Sequence, residues 1–254
     1  MRCDVRASSP RFAITSTPEQ LKAAGELYHA YPDVYMHTHV SENLGEVGFA
    51  KSLFPASSSY LNIYKDHGLM GPRSVFAHGI HLSNDEFQLL AENNAAISFC
   101  PTSNLFLGSG LFKLKDADAA RVRVGLGTDV GAGTSFSMIQ TMNEAYKVIQ
   151  MHKAYAQDPK TEITLTAFKA FYLATLGSAR ALHLDDRIGS LQPGREADIV
   201  VLNPAATPLL DFRLRKSRSL ADRLFAMMTI ADDRAVEAVY LMGKKHEGVR
   251  AASP

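Results

Sequence analysis

The segment His37-Thr38-His39-Val40-Ser41-Glu42-Asn43 sets two imidazoles at alternate positions and a carboxylate three residues after the second. Imidazole nitrogen and carboxylate oxygen are good zinc ligands, and a catalytic zinc leaves one position to water. Two more residues of these kinds stand in comparable settings: His78 in RSVFAHGIHL and Asp129 in RVRVGLGTDVGAG. Each lies at the end of an apolar run, so each is expected at the C-terminal end of a strand. His39, His78 and Asp129 would then converge on one mouth, with Glu42 beside them to carry protons. That set suits metal-assisted hydrolysis, in which the cation lowers the pKa of water and the carboxylate shuttles protons.

Taken singly, these residues have plainer readings. A lone histidine near a strand end is more often a satisfied structural group. Asp129, among glycines, reads equally as a turn residue or a helix cap. It is the joint occurrence at corresponding strand ends that favours a site. His37 shares its strand face with His39 but sits one layer deeper and stays outside the ligand set. His81 is either a support for the site or a surface residue. His29, His67, His152, His183 and His246 fall on helices, loops or the tail and read as structural or solvated.

The elements that position these groups alternate along the chain. Thr17, Pro18 and Gln20 give helix-entry signals for 15–31, with Leu21, Ala24, Tyr28 and Tyr31 on one face. Strands are predicted over 35–39, 75–78, 96–99 and 123–127, with a possible fifth before Arg11. Helices are predicted over Leu53–Gly68, over 83–94 from a Ser83/Glu86 capping box, and over 135–151. In the last, Met138, Met142, Ala145 and Ile149 form a core stripe. TSNLFLGSGLF (102–112) reads as a loop. Alternating strands and helices imply a parallel sheet. Polar groups at the C-terminal strand ends match the catalytic end of a β/α barrel, which needs eight strands to close. After about residue 185 come a Pro-Gly turn, a strand at 198–202, a helix at 219–231 and a hairpin around Gly243. The fold class is α/β, with a barrel portion over 1–185 and a small β appendage over 186–254, whose helix packs back on the barrel.

Bulk properties narrow the function further. The 254 residues carry 27 basic and 26 acidic side chains, a net charge of +1. This balance disfavours a nucleic-acid-binding face, and the basic run RLRKSR (213–218) reads as a solvated loop. With 46% hydrophobic residues a sizeable core can form. The two cysteines, Cys3 and Cys100, make no disulfide framework. No apolar run nears the ~20 residues of a membrane span, and the N-terminus lacks a signal-peptide core. A soluble, cytoplasmic protein is expected.

HTHVSEN, FAHGIHLS, FCPTSNLFLGSGLF and GLGTDVGAGTSFSM together resemble the amidohydrolase superfamily, and within it the guanine deaminases. SPRF (9–12) is similar to that family's purine-holding segment, and IGSLQPGREADIVVLNP to the superfamily's return to its β-sandwich. The resemblance runs from about residue 9 to 248. It implies the C-terminal part of a (β/α)8 TIM-like barrel with a small β-sandwich appendage, one Zn2+ per site and a homodimer. His39 and Asp129 would bind zinc, Asp129 also taking a proton from water. His78 would reach the metal through its water, and Glu42 would be the proton shuttle. Arg11 would donate to the purine's carbonyl side, Phe12 would line the ring, and Cys100 to Gly110 would shape the pocket. The implied reaction, a step of purine catabolism, is attack of water at C2 of guanine, giving xanthine and ammonia. Deaminases that bind zinc through Pro-Cys-x-x-Cys are excluded, because that motif is missing.

The family also uses a His-x-His pair on its first strand, and the single His-x-His here, His37–His39, stands in the later strand's setting. The chain is therefore expected to correspond to the family's portion from about the fourth strand onward. Weak zinc binding and little activity of its own follow from that expectation. Two alternatives are a non-catalytic amidohydrolase remnant and a sister aminohydrolase or chlorohydrolase acting on another aromatic ring.

Overall fold

The computed structural model describes residues 6–246. Five parallel strands lie side by side in chain order: β1 Arg6–Ser8, β2 Val34–Val40, β3 Ser74–His78, β4 Ala96–Phe99 and β5 Arg123–Leu126. Parallel strands are joined by right-handed crossovers as a rule, and in an order that never reverses these return on the same side of the sheet. That is barrel winding, not the reversing order of a doubly wound sheet. The α/β class expected from the sequence is thus present. β1 takes the possible fifth position before Arg11. It is only three residues long, consistent with its lack of an apolar run, and pairs Arg6 with Val34 through Ser8 with Met36.

The two faces of the sheet bury different things. Met36, Val40, Phe76, Ile97, Phe99, Val124 and Leu126 join the main core under the crossover helices. Val75 and Ala96 point the other way, against Ala181 and Leu182. By the two-residue period of a strand, His37 and His39 lie opposite Met36 and Val40.

Helix α1 (Pro18–Ala30) opens on the expected Thr17/Gln20 capping box with Pro18 in its first turn. Leu21 and Tyr28 are buried, but Tyr31 is exposed, because it is the C-cap beyond the last turn. The single helix predicted over Leu53–Gly68 is instead two, α2 (Leu44–Leu53) and α3 (Tyr60–Asp66). An Asn43/Glu46 capping box starts α2 directly after β2, and Ser59 caps α3 after the serine run. Gly68, at φ 74°, closes the turn after α3. Helix α4 (Asn84–Glu92) uses the Ser83/Glu86 box. The predicted loop at 102–112 is a helix for its first half, α5 (Pro101–Leu107), with Pro in the first turn and the left-handed Gly108 at its end. Helix α6 (Leu114–Ala119) precedes β5, and α7 (Met138–Tyr155) follows it. Met142, Ala145 and Ile149 of α7 are buried, and Met138 packs on the same core.

The chain continues as α8 (Ala167–Tyr172), which packs on α7 and α11, then a π-helical turn (Leu173–Gly177) against β5 and α9 (Ser178–Ala181) against β4 and β5. Gly125 permits this approach, since a Cβ there would stand 2.9 Å from the Ser178 Cα. The β portion expected after residue 185 is a three-stranded antiparallel sheet: β6 Ile199–Leu202, β7 Val236–Leu241 and β8 Lys244–His246. Between β6 and β7 lie α10 (Pro208–Arg215) and α11 (Leu220–Ile230). The basic run predicted as a loop begins inside α10, where Arg213 and Arg215 occupy the last turn. Phe225 of α11 meets Tyr146 of α7 edge-on at 5.2 Å, and the Asn143 amide donates to the Thr229 carbonyl at 3.1 Å. Among the described residues, no helix is long and apolar enough to cross a membrane.

Candidate active site

His39 is the next-to-last residue of β2, His78 is the last of β3, and Asp129 lies three residues beyond β5. All three therefore stand at the C-terminal edge of the sheet, and one ligand atom from each lies within 4.8 Å of the others. Glu42, just past β2, brings Oε1 to 3.8 Å from His78 Nδ1. Asp129 Oδ2 is 4.0 Å from His78 Nε2. The His39 and His78 rings stack, with centroids 5.2 Å apart. The four residues singled out in the sequence thus form one cluster. His37 is exposed, its ring 6.4 Å from that of His39, and it stays outside the cluster.

Sharp turns bring these side chains inward. Ser41, His78 and Asp129 have φ of 48°, 73° and 50°, a region that costs non-glycine residues energy. Of the seven such residues described, three sit at this mouth.

Each group is held by a neighbour. His39 Nδ1–H donates to the Arg11 carbonyl at 2.7 Å, which leaves Nε2 free to ligate. The Thr38 hydroxyl donates to the same carbonyl at 3.2 Å. Tyr64 secures the arrangement, donating to the His39 carbonyl at 2.7 Å and accepting from the Ala13 N–H at 2.9 Å. Phe12 stacks on the His39 ring at 4.2 Å, and the exposed Arg11 guanidinium stands 5.5 Å from the Phe12 ring centre. Glu42 is buried. It accepts the Ser109 hydroxyl at 3.1 Å, and its own N–H donates to Glu46 at 2.9 Å. Burial raises the Glu42 pKa above the usual carboxylate range, only partly offset by Ser109. Burial pushes the His78 imidazole down to about 4, against the opposing pull of Asp129.

The donor set fits a zinc ion. It joins an imidazole nitrogen and a carboxylate: His39 Nε2 is unengaged and Asp129 stands in the same cluster, while His78 Nε2, buried without a hydrogen-bond partner, faces Asp129. Three contributors escape the sequence reading. Asn104 lies 2.9 Å from His78 Nδ1, Ser109 holds Glu42, and Tyr64 ties β2 to the Arg11–Ala13 segment. The first two lie in a stretch read only as pocket-shaping, where Ser-Asn after Cys-Pro was the available signal. Tyr64 gave none, being one aromatic on a helix. His81 proves to be a support, its Nε2–H donating to the Ser109 carbonyl at 2.9 Å.

Residues 5–245 match the amidohydrolase family. The chain is 52% identical over 238 residues to guanine deaminase of Escherichia coli (strain K12), covering 94% of this chain and 52% of that protein. A solved E. coli guanine deaminase superimposes with a TM-score of 0.90 at 51% identity, over 95% of this chain and 54% of the other. Guanine deaminase from C. acetobutylicum, with guanine in its active site, gives 0.83 at 30% identity over 93% and 54%. An adenosine deaminase from Xanthomonas campestris with bound zinc gives 0.81 at 28% identity over 94% and 51%. The chain thus spans about half the length of the proteins it matches.

Proposed function

The chain belongs to the amidohydrolase family, and on that premise we propose that its site performs the chemistry of a guanine deaminase, the zinc-dependent hydrolysis of guanine to xanthine and ammonia. The carrying observation is the convergence of His39, His78, Asp129 and Glu42 at one mouth, in a chain 52% identical to a guanine deaminase.

His39 Nε2 and the Asp129 carboxylate would hold the cation. When bound, zinc supplies the Lewis acidity that makes water a nucleophile at neutral pH. The chain's own groups do the rest. Phe12, stacked on the His39 ring, would line the purine. Arg11 donates to its carbonyl edge. As water adds to C2, Asp129 takes the water proton and Glu42 gives a proton to the adjacent ring nitrogen. A raised pKa suits Glu42 to that acid role. The Glu42 carboxylate would then take the proton of the added hydroxyl and pass it to the amine, the C2–N bond breaks as the C2 carbonyl forms, ammonia leaves, and the proton held by Asp129 restores Glu42. The same reading expects a catalytic portion over 1–185, a β segment over 186–254, a homodimer and a cytoplasmic setting.

A second reading, a zinc- and purine-binding remnant without turnover, is favoured by one observation. Among the described residues the metal cluster holds only two imidazoles, and no other His-x-His stands near it. A substrate panel at saturating zinc separates the readings. Guanine is expected to yield xanthine and ammonia in equal amounts, with adenine, cytosine and a chlorotriazine inert. Faster conversion of another ring would overturn the guanine assignment. Guanine that binds but never turns over would favour the remnant.

A further inference from the structure

The Asn104 amide and the His78 ring meet in a pocket closed to solvent, each residue 1% exposed. Asn104 Nδ2 lies 2.9 Å from His78 Nδ1. In that orientation the amide donates and Nδ1 accepts. A neutral imidazole has one donor and one acceptor, so its proton then sits on Nε2. Turning the amide over would put its nitrogen, with two donors, where Oδ1 now finds no partner. Buried N–H groups without acceptors are rarer and costlier than an under-used carbonyl. The far side of the ring agrees. Nε2 faces Asp129 Oδ2 at 4.0 Å, where an N–H is attracted and a lone pair repelled. The competing carboxylate, Glu42, lies 3.8 Å from Nδ1 but already accepts the Ser109 hydroxyl.

We propose that Asn104 is a positioning residue that fixes His78 as its Nε2–H tautomer, the proton donor that the expected contact of His78 with the attacking water calls for. The target of that donor rests on the function proposed above. The tautomer itself does not.

The direct test is long-range proton–nitrogen NMR on the chain carrying nitrogen-15 histidine, at neutral pH, with the His78 signals assigned by their loss in His78→Gln. The wild type is expected to show a protonated Nε2. Asn104→Asp, which presents only acceptors to Nδ1, is expected to move the proton to Nδ1. A protonated Nδ1 in the wild type would overturn the proposal, whatever becomes of the metal site. Calorimetric zinc titration gives the second readout. His39→Ala is expected to weaken binding by about tenfold or more and His78→Ala by less than about twofold, while Asn104→Asp tightens it by about tenfold. Equal losses in the two histidine variants would contradict the donor role and leave the metal site standing. No loss in either would remove the metal site, and the wild-type tautomer would still decide what Asn104 does.

Discussion

His78 concentrates the physical tension of the site. It ends a strand in a left-handed conformation, is buried, and faces a carboxylate at either ring nitrogen. Its pKa falls from 6.5 to about 4, mainly because burial disfavours the charged ring. The sign follows: the folded state binds this proton less well than the unfolded chain, so stability is full above about 6.5 and is lost as pH falls toward about 4. Thermal unfolding of the zinc-free chain is expected to show that loss, up to about 3 kcal/mol, and His78→Gln is expected to flatten it. An unchanged profile in the variant would contradict the burial argument. Glu42 has the opposite sign. Its raised pKa makes ionisation cost stability as pH rises, so Glu42→Gln is expected to raise the melting temperature at alkaline pH more than at acid pH. The four chemistry-bearing residues were legible because their types recur at strand ends. Asn104 and Ser109 were not, because a side chain that acts by holding another leaves no ligand-like spacing.

At the scale of elements, sequence signals worked where they were local. The Thr17/Gln20 and Ser83/Glu86 boxes sit where they were read, and the alternation that marked four strands holds to within a residue or two. They failed where a helix was short: α5 is seven residues, with a Pro start and Gly stop that were available but overridden by its Thr, Ser and Asn content. The contact that ties α3 to the site was invisible, since it links Tyr64 to Ala13 across 51 positions. Tyr64→Phe leaves the Ala13 N–H and the His39 carbonyl without that hydroxyl and is expected to cost about 1–3 kcal/mol, read by denaturant unfolding. A cost below about 0.5 kcal/mol would show the bridge to be dispensable. Gly125→Ala would drive a methyl into Ser178 and is expected to destabilise by about 1–3 kcal/mol.

At the scale of the whole molecule, β1 and β5 are, among the described residues, the open edges of a five-stranded sheet with barrel winding, and large apolar side chains stand in solvent, with Phe136 84% and Phe106 66% exposed. A cavity of about 940 Å³ lies between α7 and the antiparallel sheet, lined by Phe136, Met142, Phe171, Val200 and Leu202. The candidate active site lies elsewhere, at the C-terminal edge of the parallel sheet. Exposed apolar surface and unpaired edges favour association, so the chain is expected to enhance the fluorescence of an apolar dye and to self-associate with concentration in sedimentation experiments. A monomer at all concentrations with no dye response would contradict this. The central claim is that the four residues at the mouth form one metal-dependent deaminating site. It is tested most directly by following guanine conversion to xanthine in the zinc-supplied chain and its Glu42→Gln variant side by side. The account predicts slow turnover in the first at saturating zinc, as expected of a site with a single His-x-His, and none in the second. Folded, zinc-loaded wild type that makes no xanthine, or a variant as fast as wild type, would contradict it.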